Sequence, residues 1–353
     1  GDIALAHCRY GGRNKKISND NIVNALPMAF NYYHGQVAPS YNGSLVNGDI
    51  LWKELTENGA VFQTESDCEI IASLLAKHSK ESLVDSFAKT MADLKGAYAF
   101  VAMMKDKLIG VRDPHGIRPL TIGKLGEHYL LSSESCAFDA VGAETIRDVN
   151  PGEIVVIDKE GLHSYQIFNE QPNFCIFEHV YIARPDSVFD GQNVNEVRRR
   201  MGKILAEEAK IDADIVIPVP DSGTACALGY AEGSGLPFRM GLLKNRYIGR
   251  TFIQPTQEMR ERSVHIKLNP IKETLKGQRV IMVDDSIVRG TTSKQIVEMV
   301  RNAGAKEVHL VLSCPPVKFG CPYGIDTASG QLIAVTHTVE QISEYIGADS
   351  VHF

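Results

Sequence analysis

The sequence predicts two domains of different class: an α+β domain, then an α/β domain built on a mainly parallel sheet. Three features carry this. The first 165 or so residues hold short alternating apolar segments separated by turns and interrupted by two amphipathic helices. After about residue 170, apolar strands alternate with helices, the βαβ signature of a parallel sheet. The chain has 353 residues, enough for two domains at roughly 150 residues each. The expected division is 1–170 and 171–353, with Gln171-Pro172-Asn173 as linker.

In the first part, the opening run Gly1-Asp2-Ile3-Ala4-Leu5-Ala6 reads as a strand. A helix is expected after Ser66 and Asp67, which can cap it, with Ile70, Ile71, Leu74 and Leu75 on its apolar face. A second helix is expected over Glu81 to Lys95, carrying Leu83, Phe87, Met91 and Leu94 and ended by Gly96. Ala97 to Met104 and Leu108 to Val111 read as a hairpin around Lys105-Asp106-Lys107, and His128 to Ser132 and Glu153 to Ile157 as further strands. In the second part, Asp214 to Pro220 is a strand ending at Asp221-Ser222-Gly223, with a helix over Thr224 to Glu232. Arg279 to Val283 is a strand ending at Asp284-Asp285-Ser286, followed by a helix from about Ser293 to Asn302 and a strand over Glu307 to Ser313.

Composition narrows the function. A net charge of −6 argues against nucleic acid and anionic membranes. The longest apolar run, Ala97 to Met104, falls far short of the ~20 residues of a membrane span, and no secretory signal is recognisable. Seven cysteines in a chain this long suggest no disulfide framework, so a reducing, cytoplasmic compartment is expected. Residue 1 is Gly rather than Met, and both ends read as cut.

The strongest chemical signal is the run from Val280 to Ser293. A buried strand leads into two adjacent carboxylates, Asp284 and Asp285, then into Gly290-Thr291-Thr292 at a helix start. Backbone N–H groups and threonine hydroxyls there can hold a phosphate. Carboxylates repel phosphate, so they call for a diol or a magnesium ion beside it; a sugar phosphate with free hydroxyls satisfies both. Lys244, Arg246 and Arg250, read alone, also fit a solvated basic face.

This run resembles the phosphoribosyl-pyrophosphate (PRPP) motif of type I phosphoribosyltransferases. The stretches 181–187, 219–223, 244–253, 112–120 and 133–139 narrow the resemblance to the glutamine amidophosphoribosyltransferases that open purine synthesis. The resemblance covers essentially the whole chain and implies an N-terminal-nucleophile hydrolase-like glutaminase domain ahead of the phosphoribosyltransferase domain. The implied reaction converts PRPP, glutamine and water into 5-phosphoribosylamine, pyrophosphate and glutamate. Carried over by residue, Ser222, Asp284 and Asp285 would hold Mg2+ with PRPP, joined by Ser286. Asp221, Ser222 and Gly223 would face pyrophosphate, and Arg289, Gly290, Thr291 and Thr292 the 5-phosphate. Lys244, Arg246, Tyr247 and Arg250 lie in a loop that would close over PRPP.

For glutamine, the resemblance implies Arg9 at the α-carboxylate, Asp67 at the α-amino group, and Asn42 with Gly43 as oxyanion hole. It also implies an N-terminal cysteine whose thiol attacks and whose amino group is the base. That cysteine and its flanking residues are missing here, and Cys8 has no free amino group to replace it. Tyr41 stands where the family usually has His, and Gly11 to Lys16 replace a Ser/Gly-Thr-Thr-Gly turn. The expectation for this chain is no glutaminase activity with some ammonia-dependent transferase activity. Cys175 and Cys321 match two of the four ligands of the iron–sulfur subset, so half a [4Fe–4S] site is implied. The remaining cysteines, Cys8, Cys68, Cys136, Cys226 and Cys314, are expected to be buried small residues. A homo-oligomer and feedback by purine nucleotides are further family expectations. Two alternatives stand beside the enzyme: a non-catalytic PRPP sensor with a decayed first domain, and an ammonia-only phosphoribosyltransferase.

Overall fold

The computed structural model describes residues 3–8, 24–64, 66–245, 268–325, 327, 330 and 332–353. The chain forms two compact units: residues 1–175 with 187–191 and 321–326, and residues 176–186 with 192–320 and 327–353.

In the first unit, strands β1 (Phe30–Tyr32), β2 (Gly35–Leu45), β3 (Gly96–Met103), β4 (Leu108–Arg112), β5 (Thr121–Leu125), β6 (His128–Ser132), β7 (Glu144–Asp148), β8 (Glu153–Asp158) and β9 (Gly161–Gln166) follow in chain order. They form a six-stranded sheet, order β1-β2-β3-β4-β8-β9, and a three-stranded sheet, order β6-β5-β7. Antiparallel pairing dominates because the connections between β3 and β4 and between β8 and β9 are tight turns, which only antiparallel neighbours can use. Helices Gly48–Glu57, Asp67–Lys77 and Leu83–Asp93 intervene between β2 and β3. Their apolar faces, Leu51 and Leu55, Ile70, Ile71, Leu74 and Leu75, and Phe87 and Met91, join the core with Val37, Tyr98, Phe100, Ile109 and Ile154.

Three expectations need correcting here. Residues 3–8 form no strand; they run as irregular chain, tied by a 2.9 Å hydrogen bond between His7 and the Ser40 hydroxyl. The helix expected over Glu81 to Lys95 spans only Leu83–Asp93, because the Ser82 hydroxyl accepts from the Asp85 N–H and sets its start. Gly96 is not its cap but the first residue of β3, at φ +138°, where an added Cβ would meet the Ser44 carbonyl oxygen at 2.4 Å.

Strand β10 (Val188–Phe189) follows in the first unit and β11 (Gln192–Asn193) in the second. The second unit then carries β12 (Ile215–Pro218), β13 (Leu242–Lys244), β14 (Leu268–Pro270), β15 (Arg279–Asp284), β16 (Glu307–Leu312) and β17 (Ser350–His352). Its central sheet, β12-β15-β16-β17, is parallel throughout. Alternate residues face opposite layers. Ile217, Val280, Met282 and Leu310 pack with Ile296, Val300 and Leu275, while Val216, Ile281, Val283 and Val311 pack with Ala227, Tyr230 and Leu205. Both faces are covered, which is why Val280 to Val283 is an unbroken apolar run. Helices Val194–Glu208 and Thr224–Ser234 cross at glycines: a Cβ on Gly202 would lie 1.9 Å from the Cys226 carbonyl oxygen, and one on Gly229 1.8 Å from that of Arg199.

No described helix is long and apolar enough to cross a membrane.

Candidate functional site

In the second unit the candidate site lies at the carboxyl ends of β12 and β15, the edge where open parallel sheets bind ligands. Asp284 is the last residue of β15; its carboxylate accepts from the Asp285 N–H at 2.8 Å. The Asp285 carboxylate accepts from the hydroxyls of Ser286 and Ser222, so the loop after β12 and the loop after β15 meet on this group. Cys314 N–H to the Asp285 carbonyl, 2.9 Å, and Ser313 N–H to the Asp284 carbonyl, 3.2 Å, brace the pair from the segment just after β16. Gly223 allows that closeness, since a Cβ there would meet the Val283 carbonyl oxygen at 2.3 Å.

Burial, and then the neighbouring carboxylate of Asp285, push the Asp284 pKa well up; burial raises that of Asp285, opposed by Ser222, Ser286 and the Arg198 charge. Two carboxylates raised in this way gain most from a divalent cation. The donors are all hard oxygens, which suits Mg2+. A few residues on, Gly290 stands at φ +78° before helix Thr291–Asn302, whose first turn no side chain caps. Arg289, Thr291 and Thr292 are exposed around those free N–H groups, an arrangement that can receive a phosphate. Lys244, at the end of β13, pairs with Asp221 at 2.5 Å, and both are exposed. Arg246, Tyr247 and Arg250 lie outside the described residues.

In the first unit, Asn42 and Gly43 lie on β2, paired with Ala99 and Tyr98 of β3. Gly43 is at φ +140°, and a Cβ there would sit 2.0 Å from the Ala97 carbonyl oxygen, so no other residue fits. Asp67 opens helix Asp67–Lys77 and accepts from the Leu45 N–H at 3.3 Å, which brings it beside the same strand. Tyr41 is half-buried beside it: desolvation first, then the Asp67 charge, hold its phenol pKa well above the ordinary value. Arg9 and the turn over Gly11 to Lys16 lie outside the described residues.

Sequence reasoning left the motif from Arg112 to Leu120 without a role. Asp113 is fully buried and accepts from the N–H groups of His115 (3.0 Å), Ile117 (3.1 Å), Arg118 (3.1 Å) and Tyr98 (3.3 Å). The buried Arg112 guanidinium donates to the carbonyls of Arg118, Val149 and Gly116. An Asp-Pro-His-Gly turn flanked by two arginines is the signal that could have pointed to a polar knot.

The cysteines divide differently from expectation. Cys68, Cys136, Cys226 and Cys314 are buried, but Cys8 is exposed, at the end of residues 3–8, which join no sheet. Burial pushes the Cys226 thiol up to about 12 and that of Cys314 to about 11. Cys175 and Cys321, expected as two of the four thiolate ligands of a four-iron cluster, are both partly exposed. Among the described residues, one group of three could hold a metal: Asp158, Glu160 and His163 at the β8–β9 turn. There Lys107 holds Asp158 at 2.9 Å and, as the first cause, lowers its pKa to about 2. A concavity of about 340 Å³ beside β14, lined by Asn269, Lys272 and Asn302 among others, has no carboxylate among its described lining residues.

Residues 16–140 match the glutamine amidotransferase domain family and residues 186–320 the phosphoribosyl transferase domain family. The amidophosphoribosyltransferase of Bacillus subtilis is 46% identical over 356 residues, covering 100% of this chain and 74% of that protein. Its Archaeoglobus fulgidus counterpart is 45% identical over 359 residues, covering 100% and 77%. The solved glutamine PRPP amidotransferase of B. subtilis, complexed with ADP and GMP, superposes with a TM-score of 0.88 at 47% identity, over 93% of this chain and 73% of that one. A structure described as the allosteric regulatory enzyme of purine biosynthesis gives 0.91 at 45% identity, over 98% and 74%.

Proposed function

Since the chain belongs to the amidophosphoribosyltransferase family, we propose that its two candidate sites divide the first step of purine synthesis between them. The activity is transfer of glutamine's amide nitrogen to PRPP, giving 5-phosphoribosylamine, pyrophosphate and glutamate. The observation that carries the site assignment is the convergence of Ser222, Asp284 and Asp285 beside an uncapped helix N-terminus.

In this reading Asp284, Asp285 and Ser222 hold Mg2+ with PRPP. The ion, when bound, neutralises charge on the departing pyrophosphate. Arg289, Gly290, Thr291 and Thr292 hold the 5-phosphate, Ser286 supports Asp285, and Asp221 and Gly223 face pyrophosphate. Lys244, paired with Asp221, is placed to exchange that partner for a phosphate; Arg246, Tyr247 and Arg250 are assigned to the same ligand from sequence. The transferase half needs no protein nucleophile, since ammonia attacks C1 as pyrophosphate leaves.

In the other half, Asp67 holds the α-amino group of glutamine, Arg9 its α-carboxylate, and Asn42 and Gly43 the developing oxyanion. No residue of this chain is assigned the attacking thiolate. Purine nucleotides are proposed as regulators, supported by the ADP and GMP named with the B. subtilis structure. A homo-oligomer and a cytoplasmic setting complete the reading, the latter supported by the cysteine usage.

The test is pyrophosphate release from PRPP with Mg2+ and ammonium, together with calorimetry of PRPP binding. The wild-type chain is expected to bind PRPP only with Mg2+. Asp284→Asn with Asp285→Asn is expected to weaken binding at least about 100-fold. Equal affinity in wild type and variant would sink the assignment.

A further inference from the structure

We infer that the Tyr323–Gly324 turn is a positioning element for Gly43, locked in place by the Arg118 guanidinium. The inference rests on the reading of Asn42 and Gly43 as the oxyanion hole, and it gives the Arg112 to Leu120 motif a role.

The observations form a closed circuit. Gly43 on β2 pairs with Tyr98 on β3. Tyr98 donates its N–H to Asp113 and accepts from the Asp113 N–H at 2.8 Å. Asp113 in turn accepts from the Arg118 N–H, and the Arg118 carbonyl accepts from Arg112 Nε at 2.8 Å. The backbone of Arg118 is therefore fixed from both sides, and its side chain is buried. The guanidinium donates to the Tyr323 carbonyl at 2.7 Å. That bond sets Gly324, at φ +98°, against β2: a Cβ on Gly324 would lie 3.2 Å from Ser44 Cβ and 3.3 Å from the Gly43 carbonyl oxygen. The circuit closes where it began.

The turn is needed because of the sheet's topology. β1 pairs with β2 only over Gly35–Val37, so along Ala38–Leu45 the paired strand is β3 alone among the described residues. Gly43, at φ +140°, has its ladder partner Tyr98 on one side, so what packs on its other side decides how closely its position is fixed. An oxyanion donor must not shift, since misplacement by about 1 Å can cost on the order of 100-fold in rate. The turn at Tyr323–Gly324 supplies the second wall. The segment from Cys321 belongs to the first unit although it is flanked in sequence by residues of the second, so the fold spends a chain excursion on placing it. Gly324 is exposed, which makes a folding role for it secondary.

The experiment uses the protein encoded by the complete gene and compares Gly324→Ala with Asn42→Ala, assaying glutamine-dependent and ammonium-dependent activity side by side. Gly324→Ala is expected to lower kcat with glutamine on the order of 10- to 100-fold with little change in KM, because an oxyanion donor acts when charge develops. Ammonium-dependent activity is expected to stay within about twofold of wild type, by the same argument. Full glutamine activity in Gly324→Ala, or an equal fall with ammonium and glutamine, overturns the inference while Asn42→Ala remains defective. Full glutamine activity in Asn42→Ala overturns the underlying reading of the oxyanion hole instead.

Discussion

The two candidate sites are built in opposite ways. In the second unit, one stretch from Asp284 to Thr292 supplies the carboxylates, the glycine turn and the helix N-terminus, and Asp221 to Gly223 come from the next strand in the sheet. In the first unit, Asn42 and Gly43 sit on β2, Asp67 on a following helix, and the wall against Gly43 comes from Gly324, nearly the length of the chain away. A parallel sheet delivers successive strand ends to one edge, so a contiguous motif becomes a site as soon as the strand forms. An antiparallel layered domain has no such common edge, and its site depends on side-chain knots such as Asp113 with Arg118. The lesson is that local sequence suffices where topology does the gathering.

Glycine-to-alanine changes sharpen this contrast, because both sites contain glycines with positive φ. Gly43→Ala is expected to have the largest effect. The new Cβ would fall 2.0 Å from a backbone carbonyl oxygen, which cannot yield as a side-chain tip can. A loss of about 3 kcal/mol in denaturant unfolding is expected, from strain together with overpacking. Gly290→Ala meets only the tip of Ile333 at 2.8 Å and the ring edge of Tyr345 at 3.1 Å. Its stability cost is expected to be about 1–2 kcal/mol, largely from its positive φ. If Gly290→Ala proved the more damaging of the two, the contrast between a rigid assembled site and a locally encoded one would break.

The pH dependence of the first unit gives a smaller effect. Burial raises the Glu153 pKa, but Arg147, Ser164 and the Asn150 N–H outweigh it, and the net shift is downward. A depressed acid contributes stability above its unfolded pKa and loses it as pH falls through the folded value. The cost of Glu153→Gln, read as a change in urea midpoint, is therefore expected to be largest near pH 7 and to shrink below about pH 4. A pH-independent cost would show that the Arg147–Glu153 pair contributes through packing alone.

Thiol labelling is the mildest probe. Cys8 is exposed and should react first with an aromatic disulfide at pH 8, while Cys226 and Cys314, pushed up by burial, should stay silent until unfolding. Rapid reaction of Cys226 in the folded protein would show that the helix crossing at Gly202 and Gly229 opens in solution.

Much of the second unit was legible because its signals are local. Val280 to Val283 is apolar without a break, and a strand that reads this way is covered on both faces. Asp284-Asp285 followed by Gly290-Thr291-Thr292 carries its chemistry in residue type and spacing alone. One cap in the first unit was equally readable: Ser66 accepts from the Cys68 N–H, as its hydroxyl predisposes it to do. What the sequence could not determine was whatever depends on long-range pairing. Residues 3–8 have a strand's composition and no strand, because a strand exists only where a neighbour takes its hydrogen bonds. Gly96 reads as a helix stop and serves as a strand start, because it stands at positive φ where the Ser44 carbonyl across the sheet leaves no room for a Cβ. The circuit from Gly43 through Asp113 and Arg118 to Gly324 was out of reach for the same reason. Each of its links joins residues whose proximity is set by the folding of the whole unit, and no spacing along the chain encodes that.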